Sequence, residues 1–206
     1  MGDAVSAIGL RTEDAALVRE LQAGSEDAFN QLIAQYHAAI YSVIVRSLQN
    51  PSDAADITQD VFIKVFRSIG GFHGDSSLRT WIYRIALHEA SNQRRWWSRH
   101  CKQEVTIDLE MDEDDEHHAS LKDSLADQRE SPFDAASHSE MRAQVEEALA
   151  KVPEAFRTVV ILREMEGMQY DEIAEILKIN IGTVKSRLMR GRTALREALS
   201  VKGGAR

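Results

Sequence analysis

Between Glu104 and Glu130 the chain carries eleven acidic residues against Lys122 and Arg129, a net charge of −9. The centre of this stretch, DLEMDEDDEHH, has little apolar periodicity. So charge-dense a segment buries too little apolar surface to offset the entropy of ordering it, which predicts a flexible acidic linker over residues 100–136. The linker splits the 206 residues into two blocks that each need a core. It also explains the acidity of the whole, because of a formal charge of −8 the rest of the chain carries only +1. His117 and His118 lie inside the linker, and adjacent histidines in a flexible run lack the geometry of a metal site.

Both blocks read as helices, since Ala, Leu, Glu and Arg dominate and prolines number only three. In the first block, residues 12–99, Thr12 is placed to cap a helix carrying Leu17, Val18 and Leu21 that stops at Gly24. Ser25 caps a second with Phe29, Leu32, Ile33, Tyr36 and Ile40 on its core-forming face. A third helix begins after Pro51-Ser52, and a fourth comes after the turn GGFHGDSS. The second block, residues 137–200, holds four more helices, one of them bounded by Pro153 and Gly167. Residues 1–11 and 201–206 read as a flexible start and a tail. The expected fold is all-α, two small helical domains joined by the acidic linker.

Several function classes drop out. A lone Cys101 allows no disulfide framework and suits a reducing compartment. The longest aliphatic run, Val159 to Leu162, is far short of the ~18 residues of a membrane span, and the start MGDAVSAIGL has no basic flank for a signal peptide. These features predict a cytoplasmic protein without membrane insertion. No P-loop, GxSxG or HExxH pattern is present, and the histidines are scattered, so neither enzyme chemistry nor a cofactor is expected.

What the second block does offer is EIAEILKINIGTVKSRLMRGR, residues 172–192, a concentrated basic segment on an acidic chain. In the helix from Asp171 to Lys178, Ile173, Ala174, Ile176 and Leu177 form an apolar face. A tight Asn180-Ile181-Gly182 turn leads to a second helix opening near Thr183, a helix-turn-helix pattern. At 3.6 residues per turn, Val184, Leu188, Gly191 and Leu195 share one inward stripe. Ser186, Met189, Arg190 and Thr193 then face outward, with Lys185, Arg187, Arg192 and Arg196 toward the flanks. Such a helix fits the major groove of duplex DNA, its outward side chains reaching base edges and its cations meeting phosphates.

The segment MQYDEIAEILKINIGTVKSRLMRGRTALREAL resembles region 4 of the extracytoplasmic-function (ECF) sigma factors, bacterial initiation subunits of RNA polymerase. Similar GTVKS helices occur in response regulators, so a stand-alone helix-turn-helix regulator is the rival reading. Asn50 to Arg95, NPSDAADITQDVFIKVFRSIGGFHGDSSLRTWIYRIALHEASNQRR, closely resembles region 2 of the same sigma family. A stand-alone regulator has no need of that half. Together the two resemblances cover more than half the chain, in the family's order.

In the third helix Ile57, Val61, Phe62, Val65, Phe66 and Ile69 form the apolar side, and Ile63 sits alone among Asp56, Gln59, Asp60, Lys64 and Arg67. The resemblance implies that this helix, from Asp53 onward, docks on the clamp of the polymerase's largest subunit, and that the polymerase flap is a further contact. In the fourth helix Leu78, Trp81, Ile82, Ile85 and Ala86 point inward and leave Tyr83, Arg84, Leu87, Ser91 and Arg94 outward, a cationic face able to hold an opened strand. By resemblance, the loop Phe72, His73, Gly74, Asp75, Ser76 and Ser77 accepts a base flipped from the minus-10 element, with Arg95 in the basic end beyond. Trp96 and Trp97 suit stacking on DNA or closing the domain equally. The resemblance assigns the minus-35 element to Thr183, Lys185, Ser186, Arg187, Met189, Arg190, Arg192 and Thr193. It further implies promoter DNA and core polymerase as partners, promoter melting, and an anti-sigma factor as inhibitor.

Overall fold

The computed structural model describes residues 12–48, 51–100 and 132–203, and every regular element among them is helical. The amino-terminal unit comprises α1 (Thr12–Gln22), α2 (Glu26–Ser47), α3 (Ala54–Ser68) and α4 (Leu78–His100). The carboxy-terminal unit comprises α5 (Pro132–Lys151), α6 (Glu154–Val160), α7 (Tyr170–Leu177) and α8 (Ile181–Gly203). The helical reading of both blocks holds, and α5 starts at Pro132, ahead of the expected boundary at Ser137. The acidic run from Glu104 to Glu130, with Cys101 and the His117-His118 pair, lies outside the described residues, as do residues 1–11.

Local chemistry sets the helix ends. Gly24, at φ +81°, closes α1 in a conformation that a side chain would strain. The Ser25 hydroxyl then accepts from the Ala28 N–H at 3.3 Å, and Glu26 and Asp27 meet the positive end of α2. Ser77 starts α4 by accepting from the Thr80 N–H at 3.0 Å. Pro153 stands at the N-cap of α6, which runs into a π turn, Ile161–Met165, and stops before Gly167 at φ +66°.

The turn of the helix-turn-helix falls two residues earlier than expected. Lys178 adopts the left-handed conformation at φ 52°, and the Asn180 carboxamide oxygen caps α8 by accepting from the Thr183 N–H at 2.7 Å and its hydroxyl at 3.0 Å. That cap makes Ile181 and Gly182 the first residues of α8 rather than part of the turn. The capping oxygen satisfies an otherwise orphaned donor, which fixes where the helix begins.

The two units share one continuous apolar core. Leu21, Leu32, Ile40, Ile44, Val61, Leu78 and Ile82 contribute from the first, and Val159, Ile161, Leu162, Met168, Ile173, Val184 and Leu188 from the second. Helix α4 packs against α7, and α2 against α5 and α6. Two expected core residues are in solvent instead: Ile33 is exposed, and Phe66 is 58% exposed with its ring set edge-on to Phe29 at 4.6 Å between centroids. The α2–α3 contact closes over Phe62 and Val65, and Phe66 falls at its rim. Among the described residues no helix is long and apolar enough to cross a membrane.

Candidate nucleic-acid interface

Helix α8 presents the face that its periodicity predicts. Val184, Leu188 and Gly191 are buried, and Ser186, Met189, Arg190 and Thr193 are exposed. Gly191 is required by proximity, because a Cβ there would stand 2.5 Å from Val160 Cγ2 and 3.1 Å from the Phe156 carbonyl oxygen. Met189 is 66% exposed, an apolar side chain held in water in the middle of the outward face. Lys185 and Arg192 are exposed, and Thr183 and Arg187 half-buried.

Aromatic rings from neighbouring helices hold these cations. The Arg190 guanidinium lies 5.9 Å from the Phe156 ring centre, and Tyr170 has Arg163 at 4.9 Å and Lys185 at 6.0 Å. Tyr170, Lys185, Met189, Arg192, Thr193 and Arg196 line an open groove of about 300 Å³ beside α8. Arg192 pairs with Glu164 at 2.5 Å, an exposed contact that a phosphate can replace at small cost. Helix periodicity singles out neither Phe156 nor Tyr170 as a partner of these cations; only the packing of α6 and α7 beside α8 brings them here.

The loop before α4 is tied down from several sides. The Gln22 side-chain amide donates to the carbonyls of Ile69 at 3.2 Å and Phe72 at 2.8 Å. Phe72 is buried, its ring 5.1 Å from Trp81, while His73 and Asp75 are exposed and Gly74 turns the chain at φ +80°. Ser76 is buried and accepts from Arg84 at 3.2 Å. Of the six loop residues, the exposed ones are thus His73 and Asp75, with Gly74 and Ser77 half-exposed.

On α4 the expected outward face is largely covered. Tyr83 is only 1% exposed, a correction to its outward placement, and its hydroxyl donates to the Glu166 carboxylate. Burial first, and then that carboxylate, push the Tyr83 phenol far above its ordinary pKa, so it remains a proton donor. Arg84 pairs with Glu175 at 3.6 Å, and Arg94 with Glu154. Leu87, Ser91 and Arg94 are half-buried, while Arg95 is exposed and donates to the Ser91 carbonyl at 3.3 Å. A helical wheel treats α4 as a lone helix, but here the second unit lies on it. Trp96 is exposed, and nothing is described of the Trp97 side chain.

On α3, Asp56, Gln59, Asp60, Lys64 and Arg67 are exposed around Ile63, itself 37% exposed. Asp53 is half-buried and accepts from Gln93 at 3.3 Å. Phe66, on the same helix, adds apolar surface that periodicity alone assigns to the core. Lys64 pairs with Glu89. Burial tends to raise the Glu89 pKa, but hydrogen bonds from Lys64 and His88 outweigh it and hold the carboxyl below its ordinary value. Between α3, α4 and α7 a cleft of about 690 Å³ opens, with Lys64, Arg67, Arg84, Arg95 and Lys178 around Ile85, Leu87, Ile176 and Leu177.

Comparison with known proteins agrees with both halves. Residues 32–99 match the sigma-70 region 2 family and residues 142–195 the sigma-70 region 4 family. The RNA polymerase sigma-H factor of Pseudomonas aeruginosa is 39% identical over 189 residues, 91% of this chain and 94% of that protein. The ECF RNA polymerase sigma-E factor of Escherichia coli is 34% identical over 182 residues, 88% of this chain and 92% of its own. Among solved structures, CnrH in complex with the cytosolic domain of CnrY superposes with a TM-score of 0.64 at 23% identity, covering 91% of this chain and 97% of that one. The sigma factor RpoE in complex with the anti-sigma factor NepR from Bartonella quintana gives 0.63 at 23%, covering 84% and 97%. At that identity the likeness is one of fold.

Proposed function

The chain belongs to the extracytoplasmic-function group of the sigma-70 family, and from that premise we propose how its surfaces divide the work of initiation. As a sigma factor it binds RNA polymerase and directs transcription initiation, a role of binding rather than of enzyme chemistry. The exposed side of α3, with Asp56, Gln59, Asp60, Ile63, Lys64 and Arg67, meets the clamp of core polymerase, and Phe66 extends its apolar centre. Asp53 steadies the start of that helix. The loop from Phe72 to Ser77 and the α4 face with Arg84, Ser91, Arg94 and Arg95 grip the melted minus-10 strand, and Tyr83, buried under Glu166, is not part of that face. Helix α8 reads the minus-35 duplex through Thr183, Lys185, Ser186, Arg187, Met189, Arg190, Arg192 and Thr193.

The observation that carries this reading is that an exposed basic face on α8 and a separate apolar-centred polar face on α3 occur on one chain, on units that match regions 4 and 2. Linking two modest binding modules raises the effective concentration of the second, so a promoter is selected only where both elements are present. The protein works where the polymerase does, in the cytoplasm. An anti-sigma factor completes the proposal, because the sigma factor RpoE was solved in complex with the anti-sigma factor NepR.

The test is transcription in vitro with purified bacterial core polymerase and a pool of genomic promoter fragments. New start sites that require the protein and share a two-part upstream sequence are expected. DNA binding without any protein-dependent initiation would favour the stand-alone regulator.

A further inference from the structure

The loop that leads into α4 is held differently at its two ends. Its exit is fastened by side chains of the loop and of α4: the Ser77 hydroxyl accepts from the Thr80 N–H at 3.0 Å and donates to the Thr80 hydroxyl at 2.8 Å, and buried Ser76 accepts from Arg84 at 3.2 Å. Its entry is the 3-10 turn Ile69–Gly71, closed by the Phe72 N–H on the Ile69 carbonyl at 3.0 Å. Gly70 and Gly71 give that turn no side chain with which to fasten itself, and a Cβ at either would meet nothing within 4 Å.

The fastening comes from α1 instead. Gln22, its last residue, donates through one side-chain amide nitrogen to the Ile69 carbonyl at 3.2 Å and to the Phe72 carbonyl at 2.8 Å, on either side of the two glycines. An amide nitrogen carries two hydrogens, so both are used, and turning the carboxamide over would set its oxygen against two carbonyls. The fold aims Gln22 at this spot. Leu21 beside it is only 1% exposed, Gly24 ends the helix at φ +81°, and α1 packs directly on the turn. Phe72 is thereby held twice, at its carbonyl by Gln22 and at its buried ring by Trp81 5.1 Å away. The exposed lip of the loop, His73 to Asp75, starts directly after that fixed point.

We propose that Gln22 is a positioning residue for base recognition. It touches no DNA. By pinning the carbonyls on either side of the glycine pair it fixes Phe72 and aims His73 and Asp75, so a base that leaves the stack meets a formed pocket. Flipping a base already costs stacking energy, and ordering a loose loop in the same step would add to that cost. This inference rests on the reading of Phe72 to Ser77 as the loop that accepts a flipped minus-10 base.

The test uses polymerase holoenzyme assembled with the full chain and a labelled pool of single-stranded DNA carrying a random tract. Bound strands are sequenced and aligned on their shared motif, and enrichment is read at each position. The double variant His73→Ala with Asp75→Ala marks the position that depends on the loop. Gln22→Ala removes both donors, and Gln22→Glu keeps the length and shape but can only accept. Each should lower enrichment at the marked position about tenfold and leave the other positions, and affinity for core polymerase, unchanged. Undiminished enrichment at the marked position overturns the role of Gln22 and leaves the loop reading standing. An equal loss at every position makes Gln22 a residue of general stability and overturns the proposal as well. If the double variant itself alters no position, the loop reading fails and takes the inference with it.

Discussion

Replacing Gly191 by alanine tests whether α8 is held against α6 as closely as described. The added Cβ would sit 2.5 Å from Val160 Cγ2 and 3.1 Å from the Phe156 carbonyl oxygen, whereas carbon atoms rest about 3.5 to 4.0 Å apart. Val160 is buried, and a β-branched side chain in a helix has one strongly preferred rotamer, so it cannot turn aside cheaply. The Phe156 oxygen is backbone and cannot turn at all. The helices must therefore part by about 1 Å, and overpacking of this kind costs roughly 1 to 3 kcal/mol. Against that, alanine in place of glycine favours a helix by roughly 0.5 to 1 kcal/mol. The expected balance is a loss of about 1 to 2 kcal/mol. Urea denaturation of the full chain followed by circular dichroism would read it as a lower midpoint with an unchanged slope. Binding to a minus-35 duplex should weaken with it, since the same helix carries the proposed reading face. A variant more stable than wild type by the propensity gain alone would refute the reasoning, because the helix would have collected its benefit with no contact to oppose it.

Ile63→Arg places a charge at the apolar centre of the α3 face and should weaken binding to core polymerase about tenfold, as hot-spot truncations do, while leaving duplex binding intact; an unchanged titration would remove Ile63 from the interface. Arg190→Ala should weaken minus-35 recognition and spare polymerase binding, and survival of both promoter affinity and selectivity would mean that the outward face of α8 has been misassigned. Glu89 supplies a pH signature: its folded pKa is depressed below the unfolded value, so its contribution is complete above that value, near pH 4.3, and is lost as pH falls through the lower folded pKa. Glu89→Gln should therefore lower stability at neutral pH and flatten the acid limb of a stability–pH profile, and an acid limb of unchanged steepness would count against the Lys64 and His88 contacts.

Much of the fold was legible because it is decided within a few residues. Ser25 as a cap, Gly24 and Gly167 as helix ends, and the Val184, Leu188 and Gly191 stripe all arise from helix periodicity and backbone chemistry. The helix-turn-helix was legible for the same reason, and the misplaced turn shows the limit of that reasoning. Asn180 serves equally well as a turn residue or as an N-cap, and the capping bond to Thr183 decides between them. The outward face of α8 needs only one helix and its inward stripe, so α8 presents its outward side chains as expected.

What the sequence could not display is which faces meet. Phe66 fits the apolar side of α3 by period but falls at the rim of the α2–α3 contact, where it stays in solvent. Tyr83 reads as outward on a lone α4, yet it is buried because Glu166, 83 residues away in sequence, comes to rest on it. The sequence by itself determined the helices, their caps and the family, since local hydrogen bonding and the 3.6-residue repeat leave their mark in neighbouring residues. Only the tertiary structure decided that the second unit covers the α4 arginines, because pairing between distant charges has no period and shows itself only once the chain has folded back.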